Sequence, residues 1–498
     1  MTPVQRSFVF SAVERYASLV ILFLSTAALA RLLSPEEFGV YAVVSALTTV
    51  IATSAQEFGG ASYIIQKAAL SETAIRTAFT ITFVLSLLMG VALWGLADAL
   101  GCWFGMEGVG SGVKIAALGF AISPFSTIML ALLRRDLMFG GVAAANLIGN
   151  GANATTSIAL AMRGHSFLAP VWGQLAGAAA QAVYLAMQRR SVGIFAPSLA
   201  EHAEIVRFGM ISSGVTLINL AFNAAPQLFL ARLLGFSAVG LYSRAVAITQ
   251  IFDRLVIQAI SPVIMPALAS KSRNGEDLKP IYARSISTLA AAHWPFLLCV
   301  AILAEPIVEV WLGRAWLPVA PLVRLLCAGS LALFAACLTY PILVATGHVR
   351  DALISSLISL PPSVAVMFAA SFLGVEAVAA STLLTLPLQA CVAMSYVGRR
   401  LGVGPRAIAA ALGASALVAG CCGCAAAVGA LAIKAGWLPP LAGLGVSGAL
   451  VALAWLAALM ATDHPLLREI KSALGRRLWF RREAASVPAG ERPHQDVC

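Results

Sequence analysis

The chain has 498 residues, of which 60% are hydrophobic and 11% charged, with a mean hydropathy of +0.89 and a net charge of +11. A soluble domain of this length has no use for so much apolar surface, whereas a membrane-spanning helix needs roughly 20 predominantly apolar residues. The positive charge does not indicate nucleic acid, because the basic residues sit between apolar runs and form no single patch. Nine cysteines do not make a disulfide framework. Most lie inside apolar runs, and Cys421-Cys422-Gly423-Cys424 sits among Ala and Gly with no His or acid nearby, so they read as small packing residues.

Taken in order, the chain reads as fourteen spans: 8–33, 38–64, 73–97, 113–133, 139–162, 167–188, 208–234, 238–268, 282–304, 321–346, 350–373, 376–397, 406–433 and 438–461. The first span ends Ala28-Leu29-Ala30, like a signal peptidase site. It is expected to be retained, because its wording returns inside the chain. Leu29–Tyr41 reads LARLLSPEEFGVY, and Leu230–Tyr242, 201 residues later, reads LARLLGFSAVGLY. Seven of these thirteen positions are identical: Leu29, Ala30, Arg31, Leu32, Leu33, Gly39 and Tyr41. Fixed-period self-similarity is a fold-level signal. Each copy closes one helix, turns and opens the next. In the first copy, Pro35 suits a first helical turn, and Glu36 and Glu37 suit a helix N-terminus.

Orientation follows from Lys and Arg between spans. With the N-terminus in the cytoplasm, most of the 33 basic residues fall inside, including the Arg134-Arg135, Arg189-Arg190 and Arg399-Arg400 pairs and the tail. That bias fits an even number of spans and both termini in the cytoplasm. Six spans separate the two copies, so both face the same way. A parallel repeat of that kind implies a pseudo-twofold axis along the membrane normal. The expected fold is therefore an all-α integral membrane protein of about fourteen transmembrane helices. Residues 1–200 form one six-helix lobe and 201–400 a second, around a central cleft. Two extra helices follow at 401–462, then a basic cytoplasmic tail at 463–498. In the tail, Leu466, Leu467, Ile470, Leu474, Leu478 and Trp479 alternate with basic residues at helical spacing, which suits an amphipathic helix on an anionic leaflet.

Two phrases carry a family resemblance. Pro35-Glu36-Glu37-Phe38-Gly39-Val40-Tyr41 resembles the turn between the first two spans of the bacterial polysaccharide transporter family. Gln56-Glu57-Phe58-Gly59-Gly60-Ala61-Ser62-Tyr63-Ile64-Ile65-Gln66 is similar to the end of that family's second span, although Gln56-Glu57 stand where an Arg-Asp-like pair is common. These are the lipid-linked oligosaccharide flippases of the multidrug/oligosaccharidyl-lipid/polysaccharide exporter superfamily. The resemblance implies alternating-access movement of a polyprenyl-pyrophosphate-linked glycan across a bacterial inner membrane, for exopolysaccharide or lipopolysaccharide. It implies no enzyme and no cofactor or metal. The partners it implies are the lipid-linked glycan, membrane lipids, and a polysaccharide polymerase and chain-length regulator. The alternatives are a peptidoglycan-precursor flippase, a cation-coupled multidrug antiporter of the same superfamily, and a membrane glycosyltransferase or polymerase. The last would need a larger outside loop than Asp98–Gly112 or Glu305–Ala320.

Charges within spans mark the candidate site, because each costs on the order of 2.5–3.5 kcal/mol near the bilayer centre on insertion scales. They are Glu14 and Arg15 in the first span and Arg244, Asp253 and Arg254 in the eighth. The matching positions of the first copy hold Val43, Ala52 and Thr53, so the repeat's skeleton does not need these charges. Arg15, Arg244 and Arg254 are expected to bind the diphosphate head group; Glu14 and Asp253 are the candidates for a coupling ion. Asn146, Asn150 and Asn153 share one helix face, and Asn219, Asn223 and Gln227 another, while Gln174, Gln181 and Gln188 repeat every seven. Such stripes suit a hydrated sugar path or interhelical hydrogen bonds, typically about 0.6 kcal/mol each. Prolines within spans, Pro226, Pro262 and Pro341 among them, are candidate hinges. No phosphate-binding Gly-Lys-Ser/Thr loop is present, so direct ATP hydrolysis is excluded.

Overall fold

The computed structural model describes residues 3–58, 60–67, 70–188, 192–469 and 471. Helix follows helix along them: α1 (Pro3–Leu32), α2 (Pro35–Phe58), α3 (Ala61–Gln66), α4 (Glu72–Phe104), α5 (Glu107–Arg135), α6 (Phe139–Met162), α7 (Leu168–Gln188), α8 (His202–Leu234) and α9 (Phe236–Thr249). A π-helical turn at Asp253–Ile257 leads into α10 (Gln258–Arg273). Then come α11 (Leu278–Ile302), α12 (Ala304–Trp311), α13 (Val319–Ser330), α14 (Ala336–Ala345), α15 (Val349–Ser371), α16 (Val375–Leu401), α17 (Pro405–Lys434) and α18 (Pro440–Ala461). Each of the fourteen expected spans falls on this helical track. Among the described residues ten helical stretches are long and apolar enough to cross a membrane, and the chain is a multi-pass membrane protein.

The repeated motif makes the same turn in two ways. In the first copy, Ser34 and Glu37 form a capping box. The Ser34 backbone N–H donates to Glu37 Oε2 at 2.7 Å, and the Glu37 N–H donates to Ser34 Oγ at 3.3 Å. In the second copy, Gly235 takes φ +83°, a left-handed conformation open to glycine without a Cβ penalty.

The copies then pack on each other through their shared glycines. A Cβ on Gly39 would lie 1.8 Å from the carbonyl oxygen of Phe236, and one on Gly240 would lie 1.9 Å from that of Pro35. Gly39 and Gly240 are equivalent positions, as are Pro35 and Phe236. Residue i meeting j′ while j meets i′ is the signature of a twofold interface, here within one chain. The helices repeat the pattern. α1 packs on α6 as α8 does on α15, and α6 on α7 as α15 on α16. α5 packs on α7 as α13 on α16, and α2 on α5 as α9 on α13. Leu29, Phe38 and Val43 of one copy share a core with Leu230, Tyr242 and Ala245 of the other.

α17 and α18 lie outside the repeat. α17 packs on α11, and the Trp455 indole N–H donates to the Ala291 carbonyl at 2.7 Å. Beyond α18, buried His464 lies within hydrogen-bonding distance of Ser287 and Ser415. The expected amphipathic tail helix begins as a helical turn at 465–469, and Leu474, Leu478 and Trp479 fall outside the described residues.

Pro226 lies inside α8, which continues through it. Two local features differ from the expectations. α12 is an additional eight-residue helix from the end of the ninth span into the loop expected at Glu305–Ala320. The tenth span is interrupted at Leu331–Leu333, without a proline; there the Trp294 indole N–H supplies a donor to the Leu331 carbonyl at 2.8 Å.

An ion-pair cluster at the helix ends ties the segment after α3 to the start of α8. Lys67 Nζ donates to Glu201 Oε2 at 2.8 Å and to Glu204 Oε2 at 3.0 Å, and Ser71 Oγ donates to Glu201 Oε1 at 2.6 Å. The Lys67 ammonium, with Ser71 behind it, holds the Glu201 carboxyl down to about 2, and Glu201 raises Lys67 above its ordinary value.

Candidate substrate cavity

The twofold pattern is broken at one seam. α2 packs against α8. The equivalent packing would set α9 against α1, and there a cavity of about 860 Å³ lies instead. It runs along α1 from Ser11 to Leu29, faces Asn150 and Asn153 of α6, and is closed by Arg244, Asp253, Arg254 and Gln258. Its volume is that of a ligand site.

Local backbone chemistry explains how the charged side chains reach it. α9 stops at Thr249, and the π-helical turn adds a residue to the helical path, which rotates the downstream residues relative to the uninterrupted α2 of the other copy. Asp253 and Arg254 open that turn and line the cavity. π-Helical turns of this kind recur at functional sites. Four residues past Gln258 stands Pro262, whose ring nitrogen has no hydrogen for the Gln258 carbonyl.

Arg15 takes up that orphaned acceptor. It donates through Nη1 to the Gln258 carbonyl at 2.7 Å, through Nη2 to Gln258 Oε1 at 2.5 Å, and through Nε to the Arg254 carbonyl at 3.2 Å. The guanidinium thus ties α1 to the π-helical turn. Its neighbour Glu14 is held from the other side. Glu14 Oε1 accepts from Asn146 Nδ2 at 3.1 Å, and Asn146 Oδ1 accepts from Gln181 Nε2 at 3.0 Å. Asn150 Nδ2 donates to Ser18 Oγ at 3.0 Å, and Gln174 Nε2 to the Tyr41 hydroxyl at 2.8 Å. Asn146, Asn150, Gln174 and Gln181 of the first-half stripes therefore serve as interhelical bonds between α1, α2, α6 and α7, while Asn153 and Gln188 bond to Ser157 and Tyr184 of their own helices.

Arg244 and Arg254 are placed differently. The Arg244 guanidinium lies 4.7 Å over the Phe38 ring, an attraction worth about 1 kcal/mol. Its Nε is buried with no hydrogen-bond partner among the described residues. The Arg254 side chain likewise meets no acid or acceptor among the described residues, and Asp253 has no donor there. The structure thus gathers Arg15, Arg244, Arg254, Glu14, Asp253 and Asn150 around one space. Asn223 lies on a second cavity of about 630 Å³, between α8, α9, α11 and α13–α16. The Asn219 side chain lies outside the described residues. Residues not singled out from sequence also line these spaces. Gln258 is one, and the spacing of Pro262 four residues on could have flagged it. Thr382, Thr385 and Gln389 of α16 are others, legible as a polar i, i+3, i+7 stripe.

At the opposite end of α1 the halves are joined by aromatic residues. The Trp316 indole, fully buried, donates to the Ala30 carbonyl at 2.7 Å, and the Trp311 indole to the Phe23 carbonyl at 3.1 Å. Arg31 Nη2 donates to the Val310 carbonyl at 3.2 Å. Ala30 is in the last turn of α1, where carbonyls lack an intrahelical donor.

Known proteins share both the sequence and this architecture. The chain is 25% identical over 307 residues to the lipopolysaccharide biosynthesis protein WzxC of Escherichia coli, covering 61% of this chain and 62% of that one. It is 25% identical over 331 residues to the succinoglycan biosynthesis transport protein ExoT of Rhizobium meliloti, covering 65% of each. The matched part therefore spans less than two thirds of either relative's length. Among solved structures, the lipid II flippase MurJ in an inward closed conformation superposes with a TM-score of 0.73 at 12% identity, covering 92% of this chain and 99% of that one. An inward-facing multidrug resistance MATE family transporter of the MOP superfamily gives 0.65 at 16% identity, covering 78% and 98%. At such identities the likeness establishes the fold. The polysaccharide biosynthesis protein family matches residues 28–321, which take in both copies of the repeat and the cavity-lining residues from Leu29 to Gln258. With more than half its length so matched, the chain belongs to the polysaccharide biosynthesis protein family.

Proposed function

We propose that this protein moves a polyprenyl-diphosphate-linked glycan across the bacterial inner membrane for surface polysaccharide synthesis, by alternating access of two lobes, residues 1–200 and 201–400. The observation that carries this reading is the pair of guanidinium groups, Arg244 and Arg254, that line the cavity at the open seam without an anionic partner among the described residues. A half-buried guanidinium with no bonded counter-charge is left poorly solvated, and a ligand diphosphate supplies that charge with charge-assisted hydrogen bonds. Arginine suits this role because its planar fork matches phosphate oxygens and stays ionised when desolvated.

Arg15 then acts as the coupling element. In the tied state its donors are spent on neutral carbonyl and amide oxygens. Diphosphate oxygens are stronger acceptors, so an arriving head group draws Arg15 off the π-helical turn and frees α1 at that end. Opening the far end requires breaking the Trp311, Trp316 and Arg31 bonds. Of the two candidate coupling carboxylates, Asp253 fits better, because Glu14 is already held by Asn146 and Ser18. Transport insensitive to both proton and sodium gradients would remove that role. The distribution of Lys and Arg supports both termini in the cytoplasm. The glycan is handed on without covalent change, and a polymerase and a chain-length regulator are the protein partners that such a step feeds.

The test is export. Arg15, Arg244 and Arg254 are each replaced by Ala, and surface polysaccharide is measured in cells with matched protein levels. Loss of export in the Arg244 and Arg254 variants is expected, and full export in all three ends the reading.

A further inference from the structure

The cavity of about 630 Å³ in the second half has a different chemistry from the one at the open seam. Among the described residues no Arg or Lys lines it; Asp253 is the one carboxylate there and His293 the one imidazole. Asp253 and Gln250 line both cavities and so stand between them. The wall on the α15–α16 side is built of neutral hydrogen-bonding groups. Gln389 Nε2 donates to Ser363 Oγ at 3.0 Å, which leaves the amide oxygen as an acceptor. Thr385, only 2% exposed, has a hydroxyl without a partner among the described residues. Phe222 and Phe334 line the same cavity with apolar rings.

We propose that this second cavity seats the sugars next to the diphosphate and selects uncharged ones. The inference rests on the diphosphate reading of the first cavity and adds the class of glycan. Neutral amides and hydroxyls exchange hydrogen bonds with sugar hydroxyls, and aromatic faces cover the apolar side of a pyranose ring. A uronate or pyruvyl carboxylate placed there would meet no arginine or lysine among the described residues and would lie near Asp253; the one imidazole lining the cavity, His293, is buried against the Phe252 ring. Leaving a desolvated carboxylate unpaired is how a site rejects an otherwise similar ligand. The arginines cannot serve it, because the diphosphate takes them.

The experiment uses the full chain in detergent micelles and titration calorimetry with three probes. These are farnesyl diphosphate, farnesyl diphosphate carrying a neutral disaccharide, and the same lipid with glucuronate as the second sugar. Farnesyl diphosphate is expected to bind, the neutral glycolipid about tenfold more tightly, and the uronate probe no more tightly than the bare lipid. Gln389→Leu and Thr385→Val should each remove the sugar-dependent gain while leaving the affinity for farnesyl diphosphate within about twofold. Asp253→Asn should let the uronate probe bind nearly as well as the neutral one. If the neutral sugars add nothing, or the uronate adds as much as they do, the proposal is overturned while the diphosphate reading stands. If none of the three probes binds, the diphosphate reading itself fails. Should Gln389→Leu not fold, the three-probe comparison on the unaltered chain decides alone.

Discussion

The two copies of one repeat meet themselves at two seams, and the seams have opposite characters. Where α2 lies against α8 the interface is packed; where α9 should lie against α1 there is a cavity lined by arginine. The first copy carries fully buried Val43 where the second carries Arg244. The first copy continues as unbroken α-helix to Phe58, while the second turns through a π-helical segment that brings Asp253 and Arg254 to the space. A duplicated scaffold thus supplies symmetry, and function enters where the symmetry fails. The shared glycines at the axis do the opposite work. They keep the backbones close enough that the copies form one core, so a local difference at one seam need not loosen the whole.

Breaking the symmetric part should have the largest effect. Gly39→Ala and Gly240→Ala each drive a Cβ into a backbone carbonyl, which cannot rotate away as a side chain would. Each is expected to cost about 3 kcal/mol, at the upper end of overpacking effects. Thermal unfolding of the detergent-solubilised protein should fall by similar amounts for the two; tolerance of one alone would refute the twofold pairing. Next comes the asymmetric pair. Arg244→Ala should lower export about tenfold or more, since hydrogen bonds to charged groups contribute about 1.5–3 kcal/mol. Val43→Ala, at the equivalent position, should cost about 2 kcal/mol of stability and leave export per molecule within about twofold. Equal export defects from both would show that position, and not charge, matters.

A smaller effect sharpens the role of the tie at the open seam. Pro262→Ala returns a backbone N–H to the Gln258 carbonyl that Arg15 now satisfies. In a double-mutant cycle with Arg15→Gln, the two should couple by about 1 kcal/mol, and strict additivity would mean that Arg15 does not serve that carbonyl. The smallest effect lies at the linker between copies. Glu201 has a folded value of about 2, below its unfolded value of about 4.3. Its contribution is therefore complete above about pH 4.3 and is lost as pH falls toward 2. The difference in unfolding temperature between the parent and Glu201→Gln should hold steady from pH 7 to 5 and shrink below pH 4. A difference already vanishing near pH 6 would exclude the Lys67 pairing as its source.

Much of this was legible in one dimension. Apolar runs fix which segments are helices in lipid, because unpaired backbone groups there have no water to turn to. The Leu29 and Leu230 motifs announced the duplication, since their Arg and Tyr matches are not forced by hydrophobicity. The charges at 15, 244, 253 and 254 were visible as costly residues at depth, and they do share one space. What the sequence could not say is which of them is occupied. Arg15 and Arg254 look alike in a string of letters. Yet one is committed to a carbonyl that Pro262 leaves bare, 243 residues away from Arg15 in the chain, and the other is free of acceptors among the described residues. Partnering of that kind depends on helix rotation and on which seam closes. Those are set by the summed packing of helices far apart in sequence, so only the tertiary structure decides them.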